Sequence, residues 1–217
     1  MRIIDFRMVS YAASLAILFS AGSGGAEESK PTAVFQKEFK NKAAYCQTCH
    51  GVSGQGFRGS FPMPRLAGQH PQYLEGQLQS FIEHRRINPV MRNVAHVLSP
   101  AMVSALSAHF KELDPEPIEG GPKELVSEGK KIYEEGVPGA EVPPCSTCHG
   151  DDAKGEGEFP RLAGQLDDYI IGELTNWSKE RGLDPAKPDN SAIMVPIAEK
   201  LTEHQIAAVA AYLSHLK

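Results

Sequence analysis

Two copies of the pattern Cys-x-x-Cys-His divide this chain and use all four of its cysteines. The cysteines are Cys46 and Cys49 in the first copy and Cys145 and Cys148 in the second, and the histidines are His50 and His149. This spacing is typical of c-type haem attachment, in which two thioethers hold the porphyrin edge and the adjacent imidazole faces the iron. Because the pattern occurs twice and accounts for every cysteine, we predict two covalently bound c-type haems.

Zinc sites and disulfides are the other common uses of paired cysteines. A zinc site fits the Cys-x-x-Cys spacing, but it explains neither the histidine after each pair nor a repeat that extends far beyond the cysteines. Disulfides suit an exported chain, but here the two cysteines of each pair lie only three residues apart and are followed by histidine. Haem is therefore the preferred interpretation.

The rest of the chain is also duplicated, and an internal repeat is a direct indicator of architecture. The hexapeptide Pro-Arg-Leu-Ala-Gly-Gln occurs at residues 64–69 and again at 160–165, which is 96 residues later. A methionine and the apolar face of a final helix follow it in the same order in both halves. We infer that the chain arose by duplication and that its two halves share one fold.

Each half is predicted to be all-α. The expected helices lie near residues 32–45, 73–81 and 99–113 in the first half, and near 122–134, 167–180 and 202–216 in the second. Ser99 is a suitable N-cap with proline after it, and Thr202 with Gln205 has the form of a capping box. Met102 falls on the apolar face of its helix, where core packing is the expected role.

The two halves are predicted to be separate domains joined by a linker. Residues 114–122 contain three prolines and two glycines, a composition that cannot continue a helix. The expected organisation is a signal peptide over residues 1–26, a first domain over 27–113, the linker over 114–122 and a second domain over 123–217.

The N-terminus is typical of an exported protein. Arg2 and Arg7 precede a mostly apolar run over residues 8–19, and small residues follow it up to a Gly24-x-Ala26 sequence that suits a signal peptidase. The apolar run is well short of the roughly 20 residues that a transmembrane helix needs. We predict a periplasmic protein. The alternative is an uncleaved leader, which would give the chain a loose membrane association.

His50 and His149 are the expected proximal iron ligands. Methionines are the expected distal ligands, and a thioether raises the haem potential relative to a second histidine. Met194 is the one methionine after the second motif, and the repeat aligns it with Met91. Met63 lies in a three-residue insertion and is the alternative ligand in the first half.

Histidine pairs are the competing ligand set. The other histidines are His70, His84, His96, His109, His204 and His215. None of them has a histidine counterpart in the other half, as a duplicated ligand should. Arg65 and Arg161 lie in the repeated hexapeptide and are candidate partners of haem propionates, since a guanidinium suits carboxylates. Ordinary surface arginines are the alternative interpretation.

Charge is distributed unequally between the halves. Residues 27–119 contain ten basic and nine acidic side chains, whereas residues 120–217 contain ten basic and seventeen acidic ones. This asymmetry could orient the molecule on a charged redox partner, and the alternative is an acidic surface that serves solubility alone. No basic patch is rich enough to neutralise phosphates, so nucleic-acid binding is not expected.

These features resemble the dihaem cytochromes c4, which consist of two class I cytochrome c domains in tandem, each wrapped around one haem. The resemblance covers about residues 35–216. Its specific segments are residues 46–51, 61–69 and 91–98, then 145–150, 159–165 and 194–201. It implies His/Met ligation in both domains, a periplasmic location and electron carriage toward terminal oxidases. It also implies that the carbonyls of Pro64 and Pro160 orient the two proximal histidines.

We therefore predict a one-electron carrier of a respiratory chain and not an enzyme. The expected partners are redox proteins (a terminal oxidase, a membrane electron donor or a dehydrogenase), with no small-molecule substrate. Catalysis at iron needs an open or displaceable position, which methionine in both halves would close. A cytochrome subunit that accepts electrons from a periplasmic dehydrogenase is the alternative.

Overall fold

The computed structural model describes residues 32–181 and 190–217. These residues form nine α-helices and two short 3₁₀ turns, and within them β-structure is limited to isolated bridges. The prediction of an all-α fold is confirmed. The proposed signal peptide over residues 1–26 lies outside the described residues. None of the helices in the described part of the chain is long and apolar enough to cross a membrane.

The helices follow the same order in the two halves. The first half contains α1 (Ala33–His50), α2 (Pro71–Ile82), α3 (Pro89–Ala95) and α4 (Pro100–Lys111). The second half contains α5 (Val126–Glu135), α6 (Ser146–His149), α7 (Asp167–Glu180), α8 (Ser191–Lys200) and α9 (Glu203–Ser214). The 3₁₀ turns cover Lys123–Leu125 and Pro138–Ala140. By position, α2 corresponds to α7, α3 to α8 and α4 to α9.

The last helix of each half begins at the predicted cap. The Ser99 hydroxyl accepts a hydrogen bond from the Met102 amide at 3.3 Å at the start of α4. At the start of α9 the Thr202 hydroxyl accepts from the Gln205 amide at 3.3 Å, and the Gln205 side chain accepts from the Thr202 amide at 2.9 Å. These reciprocal bonds satisfy amides that a helix otherwise leaves unpaired, so the capping box is confirmed.

Each half has a core built around its last helix. Helix α4 packs against α1 and α2, and α9 packs against α5 and α7. The predicted apolar faces point inward, with Met102, Leu106 and Phe110 buried on α4 and Ile206, Val209 and Leu213 buried on α9. Met102 is 1% exposed, which agrees with a packing role.

The first helix differs between the halves. In the first half α1 continues through the whole Cys motif to His50, five residues beyond the predicted end. In the second half α5 ends at Glu135, and Gly136 turns the chain with φ +71°. A side chain at Gly136 would place its Cβ 2.2 Å from the Val142 carbonyl oxygen, so only glycine fits this turn. The chain then resumes as the short helix α6.

Residues 114–122 contain no α-helix, as predicted, but they contact both halves. The Arg65 Nη2 group donates to the Pro115 carbonyl at 2.9 Å, and the Ser214 hydroxyl donates to the Gly120 carbonyl at 2.7 Å. The described residues from Ala33 onward belong to one compact unit. The linker is therefore a packed segment and not a loose tether.

Candidate haem-binding sites

The two motif histidines end their helices with their rings buried. His50 closes α1 and His149 closes α6, and each is only 7% exposed. Gly51 and Gly150 follow with φ values of +85° and +79°, which glycine adopts without steric cost. The chain therefore turns directly after each histidine, and the histidine stays buried.

Each buried imidazole has the same kind of hydrogen-bond partner. His50 Nδ1 lies 2.9 Å from the Pro64 carbonyl oxygen, and His149 Nδ1 lies 3.1 Å from that of Pro160. Because a carbonyl only accepts, each Nδ1 carries the hydrogen and donates it, which leaves the Nε2 lone pair for a metal. These are the carbonyls that the resemblance implies, and the arrangement suits iron ligation through Nε2.

The environment also keeps both rings neutral. Burial lowers the pKa of His50 and of His149, and the hydrogen bond to the carbonyl only partly offsets this effect. The positive charge of Arg86 lowers the pKa of His50 further. Neutral imidazole is the form that binds metal, so the two histidines fit the role of ligand at neutral pH.

All four cysteines are available for thioether attachment. All four are free of disulfides, with Cys46 and Cys145 partly buried and Cys49 and Cys148 exposed. Burial raises the pKa of Cys46, and it raises the pKa of Cys145 to about 11. Within residues 32–181 and 190–217, no group of three or more His, Cys, Asp or Glu side chains could hold a metal ion.

The candidate distal ligands lie on equivalent helices. Met91 is in α3, which contacts α2, and Met194 is in α8, which contacts α7. Both methionines are partly buried. The Asn88 side chain accepts from the Met91 amide at 3.0 Å and caps the start of α3. The two methionines therefore share the placement that a duplicated ligand requires.

Met63 occupies a different position. Its backbone pairs with that of Phe57 through two hydrogen bonds of 2.9 and 3.0 Å, and Phe159 makes the same kind of pair in the second half. Met63 directly precedes the proline whose carbonyl contacts His50 Nδ1. Met63 thus lies beside the contact that would hold the proximal imidazole, whereas Met91 lies on a separate helix, so Met91 would be the better placed second ligand of a bound haem.

The repeated hexapeptides meet each other across the two halves. Gln69 accepts from the Arg161 amide at 2.8 Å and donates to the Arg161 carbonyl at 3.0 Å. Gln165 makes the same two bonds with the Arg65 backbone at 2.8 and 3.1 Å. The hexapeptide thus orients a histidine and also forms the centre of the interface between the halves, a role that the sequence analysis missed.

The side chains of Arg65 and Arg161 are buried, at 3% and 9% residue exposure, so the surface alternative is wrong. Their Nε groups donate to the carbonyls of Ala67 and Ala163, both at 3.0 Å. Each arginine thus donates at least one of its hydrogen bonds to a backbone carbonyl. Their contact with haem propionates stays a prediction.

A second set of polar residues, mostly half-buried, joins α2 to α7, and we call it the arginine cluster. Its members are Gln77, Arg86, Tyr169, Glu173 and Arg181. Arg86 donates to Glu173 at 2.8 Å and to the Tyr169 hydroxyl at 2.7 Å, and Arg181 donates to the other Glu173 oxygen at 2.8 Å. Both arginines also donate to the Gln77 side-chain oxygen, at 2.8 and 2.7 Å. One carboxylate and one amide therefore hold two guanidinium groups.

The arginine cluster is strongly charged for a site with little access to water: its charged side chains are 4–15% exposed. Burial alone would raise the pKa of Glu173, but Arg86 and Arg181 outweigh it and lower that pKa to about 2. Arg86 also stacks on Phe81 at 4.6 Å and Arg181 on Trp177 at 4.4 Å. Buried charges are stable only when they are paired and hydrogen-bonded, so the cluster requires the two halves to keep this alignment.

Comparison with known proteins places the chain in a family. The Cytochrome c family model matches twice, over residues 36–118 and 126–217. Cytochrome c-552 of Acidithiobacillus ferridurans is 38% identical over 177 residues, covering 79% of this chain and 73% of that protein. A protein of Thiomonas intermedia (strain K12) named "Thiosulfate dehydrogenase electron acceptor" is 34% identical over 218 residues, covering 97% of this chain and 92% of its own length.

The fold agrees with a solved structure. The cytochrome c4 of Acidithiobacillus ferrooxidans matches 80% of this chain and 99% of its own, with a TM-score of 0.67 and 38% sequence identity. Cytochrome c domains bind haem covalently, and each matched segment here contains one Cys-x-x-Cys-His motif. The chain therefore belongs to the cytochrome c family and is a tandem, two-haem protein of the cytochrome c4 type.

Proposed function

We propose that this two-haem electron carrier works in the periplasm, in a respiratory chain that passes electrons toward a terminal oxidase, and that it is not itself an enzyme. The observation that carries the proposal is the repetition of one site, in which a buried neutral histidine donates from Nδ1 to a proline carbonyl. Bound haem supplies the one-electron chemistry. Two such sites in one chain allow an electron to enter at one half and leave at the other.

The proposed iron ligands are His50 with Met91 in the first half and His149 with Met194 in the second. The free Nε2 of each histidine and the equivalent helices of the two methionines support this assignment. The thioethers are assigned to the four motif cysteines, and the domains to residues 27–113 and 123–217. With a histidine and a methionine as ligands, haem held at either site would have no open position for a substrate.

In this mechanism the protein keeps the proposed iron ligands in fixed positions. The carbonyls of Pro64 and Pro160 fix the tautomer and the direction of each imidazole, so the ring does not need to turn when the charge of the site changes. The reciprocal bonds of Gln69 and Gln165 hold the two hexapeptides against each other. Both features limit the movement of the ligands and of the surrounding chain when an electron is transferred.

Stopped-flow kinetics with pure protein test the proposal. The reduced protein should transfer two electrons rapidly to an oxidised redox protein, and it should not turn over hydrogen peroxide or thiosulfate when no other enzyme is present. Robust peroxidase or thiosulfate-oxidising turnover by the pure protein would overturn the assignment as a carrier.

A second candidate function is that of an electron-accepting subunit for a periplasmic dehydrogenase. The observation that favours it is the likeness to the thiosulfate dehydrogenase electron acceptor of Thiomonas intermedia over nearly the whole chain. The two candidates differ in the donor. Rapid reduction by a thiosulfate dehydrogenase together with thiosulfate, and none by a membrane quinol-oxidising complex, would favour the subunit.

A further inference from the structure

The segment that leads into α3 is attached to the second half of the molecule. Arg86 forms an antiparallel bridge with Arg181, and the Ile87 amide donates to the Glu180 carbonyl at 2.8 Å. Glu180 is the last residue of α7, and Arg181 follows it. The end of a helix in one half therefore fixes the chain that enters α3 in the other.

Met91 follows this attachment closely along the chain. Asn88 comes directly after Ile87, and its side chain accepts from the Met91 amide at 3.0 Å. Pro89 begins α3, and its ring fixes the backbone φ angle there. Because a capped and proline-restricted segment of four residues separates Arg86 from Met91, the position of Met91 depends on the attachment to the second half.

The arginine cluster keeps the attachment in place. The Arg86 side chain donates to the Tyr169 hydroxyl at 2.7 Å and to the Glu173 carboxylate at 2.8 Å, and both acceptors belong to α7. Gln77 of α2 accepts from the same guanidinium at 2.8 Å. Two of these three acceptors thus come from the second half.

The second methionine helix, α8, is attached within its own half. Trp177 Nε1 donates to the Ser191 carbonyl at the start of α8 at 2.9 Å, and the Ser178 hydroxyl donates to Glu199 further along α8. The repeat aligns Trp177 with Phe81, whose ring has no polar hydrogen to donate. Phe81 therefore cannot make the corresponding bond to α3.

We propose that the second half positions the distal ligand of the first haem site through Glu173 and Tyr169, whereas Met194 is positioned from within its own half. This inference rests on the proposed assignment of Met91 and Met194 as iron ligands. Glu173 and Tyr169 act through Arg86, so they are positioning residues. Contact between the halves thus determines how firmly the first site, and not the second, holds its methionine.

Displacement of methionine by imidazole in the oxidised two-haem protein tests this inference. The weak near-infrared charge-transfer band of methionine-ligated ferric haem reports on Met91 alone in a Met194→Ala background, and on Met194 alone in a Met91→Ala background. In the first background, adding Glu173→Gln should lower the imidazole concentration for half-displacement about tenfold, which corresponds to the loss of one charge-assisted contact. In the second background the same substitution should leave that concentration nearly unchanged.

Two milder substitutions separate positioning from charge and from general stability. Tyr169→Phe removes an acceptor of Arg86 without changing any charge, and it should weaken Met91 in the same direction, by less, and spare Met194. Trp177→Phe copies the residue of the first half and removes the bond to Ser191. It should weaken Met194 and spare Met91.

The outcomes distinguish this inference from the ligand assignment on which it rests. Equal weakening of both methionines by Glu173→Gln and by Tyr169→Phe would overturn the inference alone, because a general loss of stability acts on both sites. An unchanged affinity at Met91 in both variants would overturn it too. A Met194→Ala protein without the band would show that Met91 is not a ligand, and both the assignment and the inference would fall.

Discussion

Arg86 of the first half donates a hydrogen bond of 2.8 Å to Glu173 of the second, within a cluster where a second guanidinium, that of Arg181, uses the same carboxylate. The Glu173 side chain is 15% exposed, so water screens these charges little. Two cations and one anion are held together only while the halves stay aligned. The stability of the whole molecule is therefore tied to Glu173.

Replacing Glu173 by Gln should destabilise the protein by about 3 kcal/mol, because two largely buried guanidinium groups lose their counter-charge. Urea unfolding of the haem-loaded protein measures this change. Glu134→Gln serves as the control, since its partner Lys130 is on the surface and such pairs contribute little. A similar loss of stability in both variants would contradict the central role of the arginine cluster.

The same carboxylate predicts how stability depends on pH. The pKa of Glu173 is lowered on folding, from 4.5 to about 2, so the folded protein holds its charged form more strongly. This contribution is present above pH 4.5 and is lost as the pH falls toward 2. At 1.36 kcal/mol per pKa unit it amounts to about 3 kcal/mol. The free energy of unfolding, measured between pH 5 and 2, should fall by this amount more in the unaltered protein than in Glu173→Gln.

Met91→Ala should open the first haem to carbon monoxide and lower its potential, while the second haem keeps its own. The reason is that loss of the thioether frees one coordination position and removes a ligand that favours the reduced state. Carbon monoxide titration followed by absorbance, together with a potentiometric titration, measures both effects.

Met63→Ala is the matched control for that experiment. Its backbone pairs with Phe57 beside the proline that contacts His50, so its loss should neither open the haem nor move the potential. Binding of carbon monoxide by the Met63 variant and not by the Met91 variant would reverse the assignment of the distal ligand.

A fragment that begins at Gly120 should fold around one haem and stay soluble, because the second half has its own core and its own motif. It should also be less stable than the same half in the whole protein, since Arg161 and Gln165 lose partners across the interface. Differential scanning calorimetry of the two proteins compares these stabilities. An insoluble or haem-free fragment would argue for one shared core or a large obligatory interface between the halves.

Local patterns in the sequence predicted much of this structure. The caps at Ser99 and Thr202, the bounds of α7 and the apolar faces of the last helices all depend on neighbouring residues, so a single sequence contains the information for them. The sequence did not predict that α1 continues through its Cys motif, because the residues of a Cys-x-x-Cys-His motif are the same whether it is helical or lies in a loop.

The interface between the halves could not be predicted in the same way. A repeat indicates that two segments are alike, but it does not indicate that they face each other, as Gln69 and Arg161 do. Arg86 and Arg181 form an antiparallel bridge at an offset of 95 residues, one less than the offset of the hexapeptides, so the alignment of the repeat does not predict this pair. The repeat aligns Gln77 with Glu173, so an amide in one half corresponds to a carboxylate in the other. The role of this difference depends on contacts across the interface, which the sequence does not show.

The near-infrared spectrum of the oxidised protein shows whether each half holds a covalent haem between a motif histidine and a methionine. We expect a weak charge-transfer band of methionine-ligated ferric haem, whose intensity corresponds to both haems and falls by half in Met91→Ala. Two irons per chain should stay with the protein in acid–acetone. A spectrum without this band, as histidine pairs would give, or haem that is extracted freely, would show that the assigned ligands or attachments are wrong.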